Sequence, residues 1–344
     1  MLRDLQLRNF RCFESIAAEF APGFNFIIGP NGQGKTTLLE AACVLLRLQS
    51  QRSASLAPAV RIGQRSFVVS GHVAEHLLQF YYSRVRRKVA FDGIEQTDPA
   101  EYLRLVRVVS FANHDLDLIR GPGELRRRFL DFVGNQVESR YRPTLRAYER
   151  ALRSRNALLK SPQARPRELA AYAEPLVRAG TSLREMRAAL VQRLAPPAAR
   201  SQRAISSEQE SLVLEYAPGC DEDFAAHLAR TSVEEERLRL TIVGPHRDDL
   251  RLLVHAMPAA QFASEGQQRT IALALKLAQA KVLSENTGSP PLLLIDDIFG
   301  ELDAARRNAL LAHLPNESQK LVTATSLAWR EGEWEGPVLR IDDL

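Results

Sequence analysis

Gly29-Pro30-Asn31-Gly32-Gln33-Gly34-Lys35-Thr36 has the form GxxxxGK[ST]. That spacing builds a loop whose backbone N–H groups cradle the β- and γ-phosphates of a nucleoside triphosphate. Gly29, Gly32 and Gly34 permit the close approach, and Pro30, Asn31 and Gln33 complete the loop. Lys35 carries a point charge to the phosphates, and the Thr36 hydroxyl is placed to ligate Mg²⁺. Thr37 follows in the first turn of the next element, whose N-terminal dipole adds to the anion site. Near the other end stands Leu292-Leu293-Leu294-Ile295-Asp296-Asp297, an apolar run closed by paired acids. Asp296 is read as the Mg²⁺ residue, directly or through water, and Asp297 as the group that polarises an attacking water. Lys35, Asp297 and Ser264 are the candidate catalytic residues; Thr36 and Asp296 are the candidate metal residues. Both ends of the chain must therefore meet at one triphosphate.

The flanking elements have to permit that meeting. Alternation predicts strands at Leu2 to Phe10, Ile16 to Phe20 and Phe24 to Ile28, the last running into the glycine loop. Leu38, Leu39, Ala42, Leu45 and Leu46 predict a helix from Gly34 to about Leu48. Strand, glycine loop and helix is the setting in which such a motif binds phosphate. Phe67 to Val69, Leu77 to Tyr82, Lys88 to Phe91 and Val106 to Phe111 read as an antiparallel sheet, with a tight turn at Asp92-Gly93. Helices are expected at Glu124 to Ser139, Tyr141 to Leu159, Arg167 to Leu194 and Ser201 to Leu214. Pro162, Pro166, Pro196-Pro197 and Pro218 punctuate them. Strands return at Arg237 to Val243 and Leu250 to His255, and a helix at Gly266 to Ser284. Leu292 to Ile295 reads as a buried parallel strand. Ala304 to Leu314 is a helix, and Lys320 to Ala324 and the tail from Val338 are strands. The expected organisation is a split α/β head, residues 1–120 and 237–344, with an inserted helical lobe, 121–236.

The bulk properties agree with a globular protein of 344 residues, 45% hydrophobic and 25% charged. No apolar run nears the ~18 residues that span a bilayer, and the opening residues carry no signal-peptide pattern, so a cytoplasmic location is expected. Cys12, Cys43 and Cys220 are widely spaced with no CxxC pair, which argues against a disulfide framework or a zinc site. A net charge of +5 favours a polyanionic partner.

Phe262-Ala263-Ser264-Glu265-Gly266-Gln267-Gln268-Arg269 stands shortly before the acid pair. Ser264, Gly266 and the following helix N-terminus can form a second phosphate cap. In this order the motifs resemble the ABC-type ATPases, whose serine-glycine signature completes the site of a second subunit. The resemblance implies an ATP-dependent homodimer with ATP and Mg²⁺ between the heads, Gln267 beside the signature, and a D-loop at Gly300-Glu301-Leu302-Asp303 that brings Asp303 to the interface.

Four further blocks narrow the resemblance: Leu7-Arg8-Asn9-Phe10-Arg11; Phe111 to Gly121 leading into Arg126-Arg127-Arg128-Phe129-Leu130-Asp131; Val243-Gly244-Pro245-His246-Arg247-Asp248-Asp249-Leu250; and Phe262 to Ala278. Together they closely resemble the RecF family, in the SMC-containing group of ABC-type ATPases, from Met1 to about Thr325. The implied fold is an ABC-type head with a mixed sheet, an antiparallel β subdomain and a short helical arm, with Arg11 among the nucleotide-binding residues. The implied function is an ATP-operated, DNA-binding switch in recombinational repair and replication-fork maintenance, with RecO and RecR as partners. Other readings stay open: an SMC-like DNA-structure protein, a nuclease-associated head or a transport ATPase. A nuclease would need a further acid cluster, and Asp221 to Asp223 and Glu234 to Glu236 read instead as solvated helix ends.

The chain departs from the common ABC-type pattern in three places, the last of them shared with the RecF family. Asp297 stands where many such ATPases carry Glu. Asn113-His114 replaces the usual Pro-Glu near the Q-loop. Thr325-Ser326 follows the last parallel strand where transporters place a histidine. Asp297 and the absent histidine suggest slow hydrolysis, and Asn113-His114 leaves the Mg²⁺-contacting residue of the Q-loop unassigned. His246 is read as structural. Arg84, Arg86, Arg87 and Lys88 line one strand edge; Arg126, Arg127 and Arg128 form a second cluster; Arg140, Arg142, Arg146, Arg150 and Arg153 recur along a helix. Each cluster is a candidate phosphate contact. Without interleaved aromatic residues the expected binding is independent of base sequence.

Overall fold

The computed structural model describes residues 1–53, 55–161, 166–206, 210–329 and 335–344. The chain divides into two compact units, Met1–Asn113 with Leu283–Leu344, and His114–Val282.

The first unit begins with β1 (Asp4–Phe10), β2 (Phe13–Glu19) and β3 (Phe24–Ile28). Helix α1 (Lys35–Arg47) follows the glycine loop. Then come β4 (Ser66–Val73), β5 (His76–Ser83), β6 (Arg87–Phe91), β7 (Ile94–Glu95), the short α2 (Ala100–Arg104) and β8 (Val108–Ala112). A six-stranded antiparallel sheet runs β2-β1-β4-β5-β6-β7. The Asp92-Gly93 turn joins β6 to β7 with both residues at positive φ, as a tight hairpin requires.

In the second unit α3 (Asp117–Arg120), α4 (Gly123–Val137), α5 (Tyr141–Lys160) and α6 (Pro166–Ile205) lead to β9 (Leu212–Ala217). Next are α7 (Phe224–Arg230), α8 (Ser232–Leu238), β10 (Asp249–Val254), β11 (Met257–Pro258), α9 (Ala259–Phe262) and α10 (Glu265–Thr287). An antiparallel sheet, β11-β10-β9, packs its buried face on α4, α6 and α10 through Leu130, Leu194, Leu212, Leu252 and Leu275. This shared core draws the unit boundaries at 113/114 and 282/283, whereas the sequence reading drew them at 120/121 and 236/237.

The chain then returns to the first unit with β12 (Leu292–Asp296), α11 (Ala304–His313), β13 (Lys320–Ala324) and β14 (Val338–Arg340). These complete a parallel sheet of order β14-β3-β13-β12-β8. Helix α1 packs against β8, β12 and β13 and also against β1, β4 and β5. A helix covered by strands of both sheets has no solvent face, which is why its apolar residues run almost all round it.

Four local expectations fail for physical reasons. Val106 to Phe111 belongs to the parallel sheet rather than the antiparallel one. β8 has five consecutive buried residues, the pattern of a strand covered on both faces. Pro196-Pro197 does not end a helix: α6 runs 40 residues through Pro175, Pro196 and Pro197. Each internal proline costs ~3 kcal/mol, offset here by buried neighbours Leu194 and Ala198. Ser201 to Leu214 is not one helix. Its first part ends α6 and its last opens β9, where Leu212 and Leu214 are buried and Val213 is exposed with period two. Arg237 to Val243 is not a strand: α8 ends there, with Arg239 left-handed at φ 55. The expected break at Pro162 lies outside the described residues.

Candidate active site

The glycine loop joins the C-terminal end of β3 to α1, the edge at which open parallel sheets bind ligands. Gly34 sits at φ 101, a left-handed conformation that L side chains rarely adopt. A Cβ there would also overlap the ring of Phe13 and crowd Cys12. Gly29 faces Ile341 just after β14, with no room for a Cβ. The loop is thus shaped by both ends of the chain.

Lys35 is buried, and its ammonium folds back on the loop. It donates to the carbonyls of Gly29 at 2.6 Å and Pro30 at 2.9 Å, and reaches Asn31 Oδ1 at 3.5 Å. The Thr36 hydroxyl donates to Asp296 Oδ1 at 2.8 Å. The same carboxylate oxygen accepts from the Thr323 hydroxyl at 2.7 Å. Asp296 ends β12, and Thr323 is its register partner on β13. These are oxygen donors only, one of them anionic, as hard Mg²⁺ requires. Thr36 and Asp296 therefore fit the metal expected of them.

Asp297 leaves the strand at φ 51. Its amide donates to Thr323 Oγ1 at 3.0 Å and to the Thr323 carbonyl at 3.2 Å. Burial pushes its carboxyl up from the ordinary range; the Lys35 ammonium opposes this, and Asp296 and Glu301 reinforce it. Asn113, directly after β8, donates through its amide to Glu301 at 2.7 Å.

A pocket of about 540 Å³ opens over the loop. Asn31, Gly32, Gly34, Lys35, Thr36, Thr37 and Asp297 line one side; Arg11, Cys12, Arg52, Pro58, Val60 and Ile62 line the rest. The Arg11 guanidinium is held by two bonds to Glu40, at 2.9 and 2.7 Å. Glu40 is fully buried and also accepts from the Ser50 hydroxyl at 2.6 Å. Thr323 and Glu40 were not foreseen. Their only sequence signal was position: Thr323 in the strand beside Asp296, and Glu40 a lone acid in an apolar helix.

Ser264, Gly266 and Gln267 lie in the second unit, at the start of α10. The Ser264 amide donates to Gln267 Oε1 at 2.8 Å, and the Gln267 amide donates to Ser264 Oγ at 3.3 Å. This reciprocal capping box satisfies two helix-end donors. Asp303 caps α11 through its carboxylate, accepting from the Arg306 amide at 2.9 Å.

The candidate DNA residues divide. Arg126 does not face solvent: it forks onto Asp249 at 2.7 and 2.8 Å and donates to the carbonyls of Leu118 and Gly121. Arg127 donates to the Asp248 carbonyl at 2.7 Å. Both are fixed by the Gly244-to-Leu250 block. Arg128 and Arg142 are half-buried, whereas Arg84, Arg86, Arg87 and Arg146 are exposed. Arg86 and Lys88 approach Glu95, and the Arg87 guanidinium lies 5.2 Å from the Tyr82 ring centroid.

The same block centres a buried network. Arg187 bonds Asp131 at 2.8 Å, Asp248 at 2.8 Å and the Pro245 carbonyl at 2.6 Å. Tyr216 donates to Asp248 Oδ2 at 2.6 Å. His246 Nε2 meets the Thr241 carbonyl at 2.9 Å, so it carries the proton, and Nδ1 accepts from Tyr148 at 2.7 Å. His246 is thus neutral and structural. Glu235 departs from the solvated reading of its acid run: it is fully buried and paired with Arg155 at 2.6 Å.

A phosphate loop, a strand-end acid bonded to its threonine, and a parallel sheet completed from the far end of the chain define a P-loop ATPase of the ABC and SMC class. The model of the RecF/RecN/SMC N terminal domain matches residues 1–330. The DNA replication and repair protein RecF of Symbiobacterium thermophilum is 38% identical over 95% of this chain and 92% of its own. RecF of a Cyanothece species is 37% identical over 97% and 93%. A solved structure of the recombination mediator RecF with ATP superposes with a TM-score of 0.89 at 28% identity, covering 96% of this chain and 94% of that one. An Smc head, 15% identical with a TM-score of 0.52, shares the fold. The chain belongs to the RecF family of DNA replication and repair proteins.

Proposed function

We propose that this chain is an ATP-operated switch that clamps DNA as a dimer and promotes recombinase loading on single-stranded gaps. The observation that carries the reading is the Thr36–Asp296 hydrogen bond, which joins the two ends of the chain over the phosphate loop. Family membership supplies the setting: a relative of known structure is described as a RecF–ATP mediator in the RecFOR pathway. The partners inferred here are ATP, Mg²⁺, duplex or gapped DNA and RecO- and RecR-type proteins.

Lys35 would leave the loop carbonyls to meet the phosphates, and the loop amides would hold the remaining oxygens. Thr36 and Asp296 would hold Mg²⁺, which supplies charge to neutralise the phosphate oxygens. Asp297, with its carboxyl held above the ordinary range, is the proton acceptor for water. Its short side chain favours slow turnover, suiting a switch whose ATP shifts a population between open and closed forms. Ser264 accepts from Gln267 within its own helix, which leaves its hydroxyl proton for the γ-phosphate of a second copy. The exposed Arg84, Arg86, Arg87 and Arg146 are the DNA contacts, while Arg126 and Arg127 serve the fold. In the described residues no helix is long and apolar enough to cross a membrane.

Sedimentation with ATP, with and without gapped DNA at several salt concentrations, tests the reading. ATP should drive dimerisation and salt-sensitive DNA binding. Ser264→Arg should abolish the dimer while sparing ATP binding, and Lys35→Met should weaken both. A Ser264→Arg protein that dimerises normally would show that the signature does not close over a partner's nucleotide.

A further inference from the structure

The antiparallel sheet of the first unit has one covered face and one open face. Leu7, Val69 and Phe80 are register partners on β1, β4 and β5, all buried, and these strands pack against α1. Their neighbours along each strand point the other way, because strand side chains alternate. Arg8 pairs with Val68, Val68 with Tyr81, and Tyr81 with Lys88, so one row crosses β1, β4, β5 and β6 on the open face. Arg8 is exposed, and Val68, Tyr81 and Lys88 are half-buried. At ordinary strand spacing Tyr81 stands about 5 Å from Lys88 and about 10 Å from Arg8 along the row. The sheet thus interleaves an aromatic ring with cations, although the sequence does not. Glu95 meets Lys88 at 2.9 Å, an ion pair open to solvent and weak for that reason. The β5–β6 turn extends the cationic end of this face with exposed Arg84 and Arg86. It is closed by the Ser83 amide on the Arg86 carbonyl at 2.8 Å and by the Arg86 amide on Ser83 Oγ at 2.9 Å. The acids Asp4 and Glu19 pair at the far end of β1 and β2, away from the cations.

We propose that Tyr81, with Arg8 and Lys88 on either side, is a docking site for single-stranded DNA, on which an unpaired base stacks while its phosphates meet the cations. The proposal rests on the DNA-binding reading above and names the part of a gap that this face takes. The cations select a polyanion, and the ring selects an unpaired one. A base inside a duplex has neighbours on both faces, so only a splayed base can offer its π-face to Tyr81. Val68 beside the ring extends the apolar floor. Stacking accepts any base, because every base has a π-face. The arginine turn follows Tyr81 directly on β5, so duplex on the turn and single strand on the ring would adjoin on one sheet.

Fluorescence anisotropy of the full chain with a labelled thymidine oligonucleotide and with a labelled blunt duplex, across a series of salt concentrations, tests the assignment. Tyr81→Thr keeps a residue suited to a strand. It should weaken oligonucleotide binding on the order of tenfold, the scale of one lost stack. Its duplex affinity should match the parent's. Tyr81→Phe keeps the ring and should bind the oligonucleotide as the parent does. Arg8→Gln should flatten the log–log salt dependence of oligonucleotide binding by about 0.7, the slope of one phosphate contact. Unaltered oligonucleotide affinity in Tyr81→Thr would overturn the site, as would an equal loss for duplex. So would a loss in Tyr81→Phe as large as in Tyr81→Thr, or an unaltered slope in Arg8→Gln. A parent chain that binds duplex but not the oligonucleotide would sink this site alone. One that binds neither would sink the DNA reading itself.

Discussion

Asp296 is positioned by two hydroxyls, and only one of them was legible in the sequence. Thr36 belongs to a motif with fixed spacing, so its role could be read directly. Thr323 becomes a partner only through the register of β12 against β13. The arginines teach the same lesson in reverse. Arg126 to Arg128 form a charge run, yet two of the three are spent on a block more than a hundred positions away. A local cluster cannot reveal a distant carboxylate. His246 yields a prediction at this scale. Burial holds its imidazole down to about 4, from an ordinary value near 6.5. The unfolded chain therefore takes up a proton that the fold refuses. This contribution to stability is complete above pH 6.5 and is lost as pH falls toward 4, costing ~2 kcal/mol between pH 7.5 and 5. Urea midpoints at those two pH values should show a steeper loss for the parent chain than for His246→Gln. Equal losses would show that His246 does not carry the proton linkage.

At the level of elements, α1 and β12 were readable because each has a single environment: apolar, enclosed and bounded by a motif. α6 was not, because its prolines are strong local breakers and the packing that overrides them is tertiary. What α6 contributes in return is Arg187, only 3% exposed, between Asp131 of α4 and Asp248 ahead of β10. Arg187→Met should destabilise the protein by about 3–5 kcal/mol, since two partly or wholly buried carboxylates would lose their counter-charge. Chemical denaturation measures this. Arg187→Met combined with Asp131→Asn and Asp248→Asn should recover part of the loss. If the single variant were as stable as the parent, the network would be of no account to the fold.

The whole molecule combines a continuous unit with a discontinuous one. Residues 114–282 hold their own core, in which α4, α6, β9, β10 and α10 share one apolar cluster, and α5, α6 and α7 share another. A fragment of residues 114–288, which keeps α10 whole, should fold alone with a cooperative urea transition. Residues 1–113 should not, because their parallel strands β3 and β8 are bridged only by β12 and β13. A cooperative transition for 1–113 would contradict this division. The sequence pattern puts the edges of the inserted lobe at 120/121 and 236/237, because β10 reads as a head strand until its packing against α4 and β9 is known; the compact units part at 113/114 and 282/283. The order of the parallel sheet also bears on synthesis. Leu2 hydrogen-bonds Gln319 across 317 positions, a separation that takes about 16 to 60 s to translate at ordinary rates. During that interval the nascent chain holds a finished phosphate loop with no strand beside β3 to steady it. Competence to bind nucleotide at this loop should thus arrive only once β13 and β14 have been made, so a chain stopped before Lys320 should not bind ATP.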